Sequence, residues 1–354
     1  MLQPKSNRLF YADLLRAIAI FAVIILHNAA DYDDQLGDIP ASHWWAGTIW
    51  NGLVRFCVPM FVVLSGAFLL KQNKEVTISE VFKKRLPRIV IPLIFWSLVY
   101  ILYNGYTSDS GIAGVSWKEQ LKVFYQGPVA YHLWFLYMLI GIYLLYPIIN
   151  LFITAAKEIH IRYFLIVWFL SNCIINIFDA VNDTTFGVGL NFFAEYAGYF
   201  VLGFYLANYT FTKRQLSFVY VLGVAGLLLS VFMASICMHF QYADRATLIE
   251  SDFTPDIVMT VAALFLWFRN RTYPETPGIV SKMISQVSKE SFGIYLIHVL
   301  VMEIIFSDDR SYADVVDAWH PGWGIPLKAI LVLVISFVIV KILSYIPLLK
   351  KVIG

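Results

Sequence analysis

The chain has 354 residues, 59% hydrophobic and 14% charged, with a mean hydropathy of +0.70 and a net charge of +2. Soluble domains carry about 25% charged residues, so a water-soluble globular protein is excluded and a polytopic membrane protein is implied. The net charge says little, because in a membrane protein its distribution matters more than its sum, and no nucleic-acid partner is expected.

A spanning helix needs roughly 20 mostly apolar residues. Ten such runs are predicted, at about 9–29, 46–70, 89–106, 132–154, 162–178, 191–209, 215–238, 255–270, 290–306 and 323–348; the fifth and eighth are short. The first is long enough to span and is followed by no small-residue cleavage site, so no cleavable signal is expected. Compact polar loops, without repeats or low-complexity linkers, join the runs. The expectation is an all-α transmembrane bundle forming one membrane-embedded domain over residues 1–354, with no appended soluble domain. Cys57, Cys173 and Cys237 lie inside apolar runs at unrelated spacings. That is neither a disulfide framework nor a zinc pattern; they read as small core residues, and no metal site is expected.

Orientation follows from the basic residues. With a cytoplasmic N-terminus, eighteen of the 26 Lys and Arg residues fall in inside loops, from Lys5 and Arg8 to Lys350 and Lys351. Only Lys118, Lys122, Arg245 and Arg310 fall outside, and Arg16, Arg55, Lys328 and Lys341 lie within spans. Both termini are therefore predicted to be cytoplasmic. The acidic stretches "DYDDQLGD" and "DDRSYADVVD" fall outside, and Trp44, Trp45, Trp117 and Trp319 lie near outer boundaries, as an aromatic belt would.

The first span holds three ionisable residues in "DLLRAIAIFAVIILHN" (13–28). Residues eleven apart are about three helical turns apart, so Arg16 and His27 share a face roughly 16 Å apart along the axis, with Asp13 one turn before Arg16. A charge at the membrane centre costs about 2.5–3.5 kcal/mol on insertion scales, and facing a protein-lined cavity, with Asp13 paired to Arg16, avoids that cost. Snorkelling of Arg16 and an interfacial His27 are the plainer alternatives. In the second span, Arg55 is a buried charge within "NGLVRFCVPMFVVLSGAFLL", where Ser65–Gly66 reads as packing rather than as a nucleophile.

At the mouth of the third span, "KKRLPRIVIPL" sets Arg85 and Arg88 one turn apart beside Pro87 and Pro92. Positive-inside anchoring explains the lysines; two guanidinium groups also make a fork suited to phosphate oxygens. Further on, "YHLWFLY" puts His132 and Trp134 at the start of the fourth span, where such a pair is usually interfacial. Finally, "SFGIYLIHVLVMEIIF" puts His298 and Glu303 inside the ninth. An intramembrane acid is a functional-site candidate by default, although packing against an arginine is an equal alternative.

In chain order, "DLLRAIAIFAVIILH", "RFCVPMFVVLSGAFLL", "RLPRIVIPL", "YHLWFLYMLIGIYLLYPI" and "SFGIYLIH" resemble the acyltransferase type 3 family of integral-membrane acyltransferases. The resemblance is strongest to short members that O-acetylate envelope polysaccharides, and it covers nearly the whole chain. It implies that Arg16 and His27 form the family's Arg-x10-His motif, tied to acyl transfer, and that Arg85 and Arg88 match the basic motif for the nucleotide end of acyl-coenzyme A. Arg55, His132, Trp134, His298 and Glu303 carry over less directly, as substrate or supporting candidates. The expected activity is O-acyl transfer from acetyl- or another short acyl-coenzyme A to a hydroxyl of an envelope glycan or lipid-linked precursor, in the bacterial cytoplasmic (inner) membrane. His27 would be the general base, Asp13 would orient Arg16, and direct transfer is favoured over an acyl-enzyme. The main rival is a transporter of glycan intermediates, although no matching pair of interrupted helices marks the two halves. A sensor without catalysis is the other. Sequence leaves oligomeric state open.

Overall fold

The computed structural model describes residues 7–32, 35–72, 76–108, 111–184, 195–240, 248, 251–274, 278–306 and 319–354. Lys5, Arg245, Arg310 and the acidic stretch "DDRSYADVVD" lie outside the described residues. Among those described there is no β-strand beyond an isolated bridge between Leu36 and Ile39. The longer helices are α1 (Asn7–Ala29), α2 (Ala41–Val54), α3 (Cys57–Leu69), α4 (Pro87–Thr107), α5 (Trp117–Gln126), α6 (Trp134–Ala155) and α7 (Glu158–Phe169). They continue as α8 (Asn176–Asn182), α9 (Glu195–Asn208), α10 (Lys213–Phe240), α11 (Pro255–Arg269), α12 (Ile279–Phe306) and α13 (Pro321–Ser344).

Among the described residues, seven stretches are long and apolar enough to cross a membrane: Phe10–Ala29, Ala41–Leu69, Ile78–Thr107, Tyr131–Ala155, Glu158–Asn182, Lys213–Met233 and Pro321–Ser344. Each coincides with an expected span, and the protein is a multi-pass membrane protein. Three expected spans map to other helices. α9 and α11 have 14 and 15 residues, short of the roughly 20 that a bilayer requires. The run at 290–306 is the latter part of α12, which carries Lys282, Lys289, Glu290 and Glu303. The lipid-facing helices show exposed apolar stripes at helical spacing: Phe218, Val221, Val224 and Leu228 on α10, and Leu327, Ile330, Val334 and Val338 on α13. Stripes of this kind would be a liability in water. Trp44 is buried, 2% exposed, with its ring edge-on to Trp45 at 5.0 Å between centroids.

Two compact units divide the chain. The first comprises Met1–Gln72, Ala155–Lys289 and Asp314–Leu331, and the second Asn73–Thr154, Glu290–Ala313 and Val332–Gly354. In the first unit α3 and α9 pack backbone to backbone. A Cβ on Gly66 would stand 1.7 Å from the Phe200 carbonyl oxygen, and one on Gly203 would stand 1.9 Å from that of Val63. Lipid tails are as apolar as side chains, so helices in a bilayer associate through such close approach rather than through hydrophobic drive. Ser65 donates to the Phe61 carbonyl (2.8 Å), so "LSG" is packing. All three cysteines are buried.

The Ala41–Leu69 span is broken at Arg55–Phe56, between α2 and α3. Pro59 is the cause. It has no N–H to offer the Arg55 carbonyl four residues earlier, and its ring crowds that carbonyl. In the second unit the corresponding irregularity is a wide π turn over Val81–Arg85, closed by Leu86 N–H donating to the Val81 carbonyl at 2.9 Å, just ahead of Pro87.

Candidate active site

In the first unit, α1 carries Asp13, Arg16 and His27, all half-buried. Arg16 Nη1 lies 3.4 Å from Asp13 Oδ1, and its guanidinium sits 5.2 Å from the centre of the Phe68 ring. Asp13 is anchored from α12: Ser288 Oγ donates to Oδ1 (2.9 Å) and Ser285 Oγ to Oδ2 (3.1 Å). Both carboxylate oxygens are therefore engaged. The expected Asp13–Arg16 pair exists, with two serines that sequence reasoning missed because they lie 272 and 275 positions away. His27 stands in the last turn of the same helix.

A second polar cluster of this unit surrounds the break at Arg55. Tyr196 Oη donates to Asp252 Oδ2 (2.7 Å), Tyr199 Oη donates to the Asp252 carbonyl, and the positive charge of Arg55 acts on the Asp252 carboxylate. Asp252 precedes α11 and keeps some surface exposure. Enclosure of its carboxyl nevertheless raises it to about 6, against the opposing pulls of Tyr196 and Arg55. Nearby, Ser230 Oγ donates to Asp256 Oδ2, while Asp256 Oδ1 is buried with no hydrogen-bond partner among the described residues. Asp252 and Arg55 thus come together where the helix is interrupted. Irregular backbone at membrane depth is tolerated only inside protein or at a water-filled cavity. Arg55 was the one visible member in sequence; Asp252 was hidden in a loop.

The second unit holds the remaining candidates. His132 and His298, 1% and 0% exposed, meet with ring centroids 5.3 Å apart. Tyr100 and Tyr295 complete the nest at 5.1 and 5.7 Å from His132. His298 Nδ1 lies 2.6 Å from the Tyr295 carbonyl, and Tyr295 Oη donates to that of His132. Glu303 is half-buried, and its charge acts on Tyr100. Trp134 is half-buried beside Phe135.

The charges of Arg85 and Arg88 both act on Tyr143. Arg85 Nη2 pairs with Glu80 Oε1 at 3.3 Å, and its charge acts on Tyr143 and Tyr146. Arg88 instead lines an open cavity of about 690 Å³ together with Lys83, Lys84, Pro87, Ile91, Pro347, Lys350, Lys351 and Gly354. Within α4, Arg88 and Ile91 are three residues apart and share a face.

Among the described residues no group of three or more His, Cys, Asp or Glu could hold a metal ion. What the fold offers is general acid–base and electrostatic chemistry on a multi-pass scaffold, the class of an integral-membrane group-transfer enzyme. Residues 9–343 match the acyltransferase type 3 family model, described as an acyltransferase domain, and the chain belongs to that family. It is a membrane acyltransferase. Comparison with curated proteins and with solved structures gave no match.

Proposed function

We propose that the protein transfers an acetyl or other short acyl group from acyl-coenzyme A to a hydroxyl of an envelope glycan or its lipid-linked precursor, in a bacterial cytoplasmic membrane with both termini inside. The observation that carries this reading is the Asp13–Arg16 pair fixed by Ser285 and Ser288 on the helix that also bears His27. Holding a guanidinium in one place costs ordering that a lipid-facing anchor does not need. In an acyltransferase such a group is useful for binding the acyl donor.

In the reaction, the acceptor hydroxyl attacks the thioester carbonyl while His27 takes its proton. The C–S bond then breaks, and the coenzyme A thiolate leaves and recovers that proton. An imidazole with an unperturbed pKa near 6.5 suits this exchange at neutral pH. A general base contributes about 10²–10⁴-fold, so positioning by Arg16 and Asp13 and stabilisation of the oxyanion supply the rest. Arg55 is the candidate for the latter. Arg88, with Arg85 behind it, holds the donor phosphates.

The test is calorimetric binding of acetyl-coenzyme A to the purified protein in nanodiscs. Micromolar binding, weakened at least tenfold in an Arg85→Ala/Arg88→Ala variant, supports the reading. No binding to folded protein overturns it.

A further inference from the structure

Five cations, Lys83, Lys84, Arg88, Lys350 and Lys351, line the cavity of the second unit. None has an ion-pair partner among the described residues, whereas Arg85, their neighbour in sequence, is neutralised by Glu80. Three of the five lie in the Ile78–Thr107 span, Lys83 and Lys84 on the π turn and Arg88 at the start of α4, and the acid of that span's first turn, Glu80, is taken by Arg85. Membrane anchoring requires basic residues near a helix end, but it does not require them to converge on one concavity with lysines from a distant segment.

Lys350 and Lys351 are held there by structure. They lie on the 3-10 turn Leu349–Val352. Trp96 Nε1 on α4 donates to the Val352 carbonyl at 2.9 Å. Val352 and Ile353 are buried, 9% and 5% exposed, and Ile353 packs by its carbonyl against the Cα region of Gly293. The backbone of the turn is thus anchored while both lysines line the cavity, together with Pro87, Ile91 and Pro347.

We infer that Lys83, Lys84, Arg88, Lys350 and Lys351 form one site for a polyphosphorylated adenine nucleotide, in which the Lys350–Lys351 turn reads the 3′-phosphate of coenzyme A. This deepens the donor reading given above and rests on it. Coenzyme A presents a diphosphate and a phosphomonoester, about four negative charges at neutral pH, and ammonium and guanidinium groups are the side chains that bind them. The proline and isoleucine surfaces suit the adenine ring. Phosphate chemistry is also shared by anionic lipid headgroups, so the experiment separates the two sources.

Binding of coenzyme A and of 3′-dephospho-coenzyme A is compared by calorimetry on the full chain in zwitterionic nanodiscs, for wild type and for Lys350→Ala/Lys351→Ala. Wild type is expected to prefer coenzyme A at least tenfold, and the variant to lose most of that preference while keeping the weaker binding of the dephospho compound. A Lys350→Gln/Lys351→Gln variant, checked by thermal unfolding, covers the case in which truncation disturbs the turn. Equal affinity for the two compounds in wild type, or an unchanged preference in both variants, overturns the inference and leaves the donor reading standing. Failure of both compounds to bind to folded wild type overturns both. If 30% phosphatidylglycerol in the nanodisc abolishes coenzyme A binding to wild type but not to the lysine variants, the lysines serve lipid headgroups and the inference falls.

Discussion

Charges at two places, one in each unit, are treated in opposite ways. On α1, Asp13 accepts from two serines and contacts Arg16, and Arg16 also has the Phe68 ring. Around the cavity of the second unit, five cations stand together with no acid paired to them among the described residues. A charge surrounded by protein partners is being positioned, and its removal disturbs its neighbours. A charge left to solvent among like charges costs stability, and that cost is recovered only when an anion arrives.

Substitutions can sharpen or break this contrast. The largest effect belongs to His27→Ala: the transfer rate is expected to fall by about 10²–10⁴-fold with acetyl-coenzyme A affinity within about twofold, read by single-turnover assay and calorimetry. Near-normal turnover would remove His27 from the chemistry. Asp13→Ala strands Arg16 and two serine hydroxyls, so thermal stability is expected to drop by roughly 1–3 kcal/mol along with activity. Arg88→Ala should do the reverse, lowering donor affinity about tenfold at an unchanged or raised melting temperature, since it relieves repulsion among like charges. A stability loss from Arg88→Ala equal to that from Asp13→Ala would erase the distinction between the units.

Smaller effects follow from the Arg55 cluster and from the surface. Burial raises the Asp252 carboxyl from its ordinary 3.8 to about 6, so the folded state binds the proton more tightly than the unfolded chain. Its contribution to stability is full below about pH 4 and is lost as pH rises through 6. The melting temperature should therefore fall across that window, and Asp252→Asn should flatten the slope. Smallest of all, Glu158→Ala removes the exposed pair with Arg162 and should leave the melting midpoint where it is, as surface pairs usually do.

Much of this organisation was legible in sequence because bilayers impose length and apolarity on each span. The stripe on α1 was readable from helical periodicity, and the packing role of Gly66 from its small neighbours. Partnerships that close over long sequence separations were not. His132 and His298 are candidates in different spans, and nothing in either run announces that their rings meet. Lys350 and Lys351 look like routine anchoring until the turn carrying them is seen docked on Trp96. Pro59, four residues after Arg55, was a readable signal for the break that Arg55 occupies.

That break also bears on how the chain is made. Asp252, whose carboxylate feels the charge of Arg55, lies nearly two hundred residues further along, and at 5–20 residues per second it is synthesised about 10–40 s later. During that interval the nascent span carries an arginine near its middle without its eventual counter-charge, at an insertion cost of about 2.5–3.5 kcal/mol. The uninterrupted apolar sequence of α3, "CVPMFVVLSGAFL", is what can hold the segment in the bilayer meanwhile. The second half of this span thus serves as a temporary anchor for the first, until the rest of the chain has been delivered.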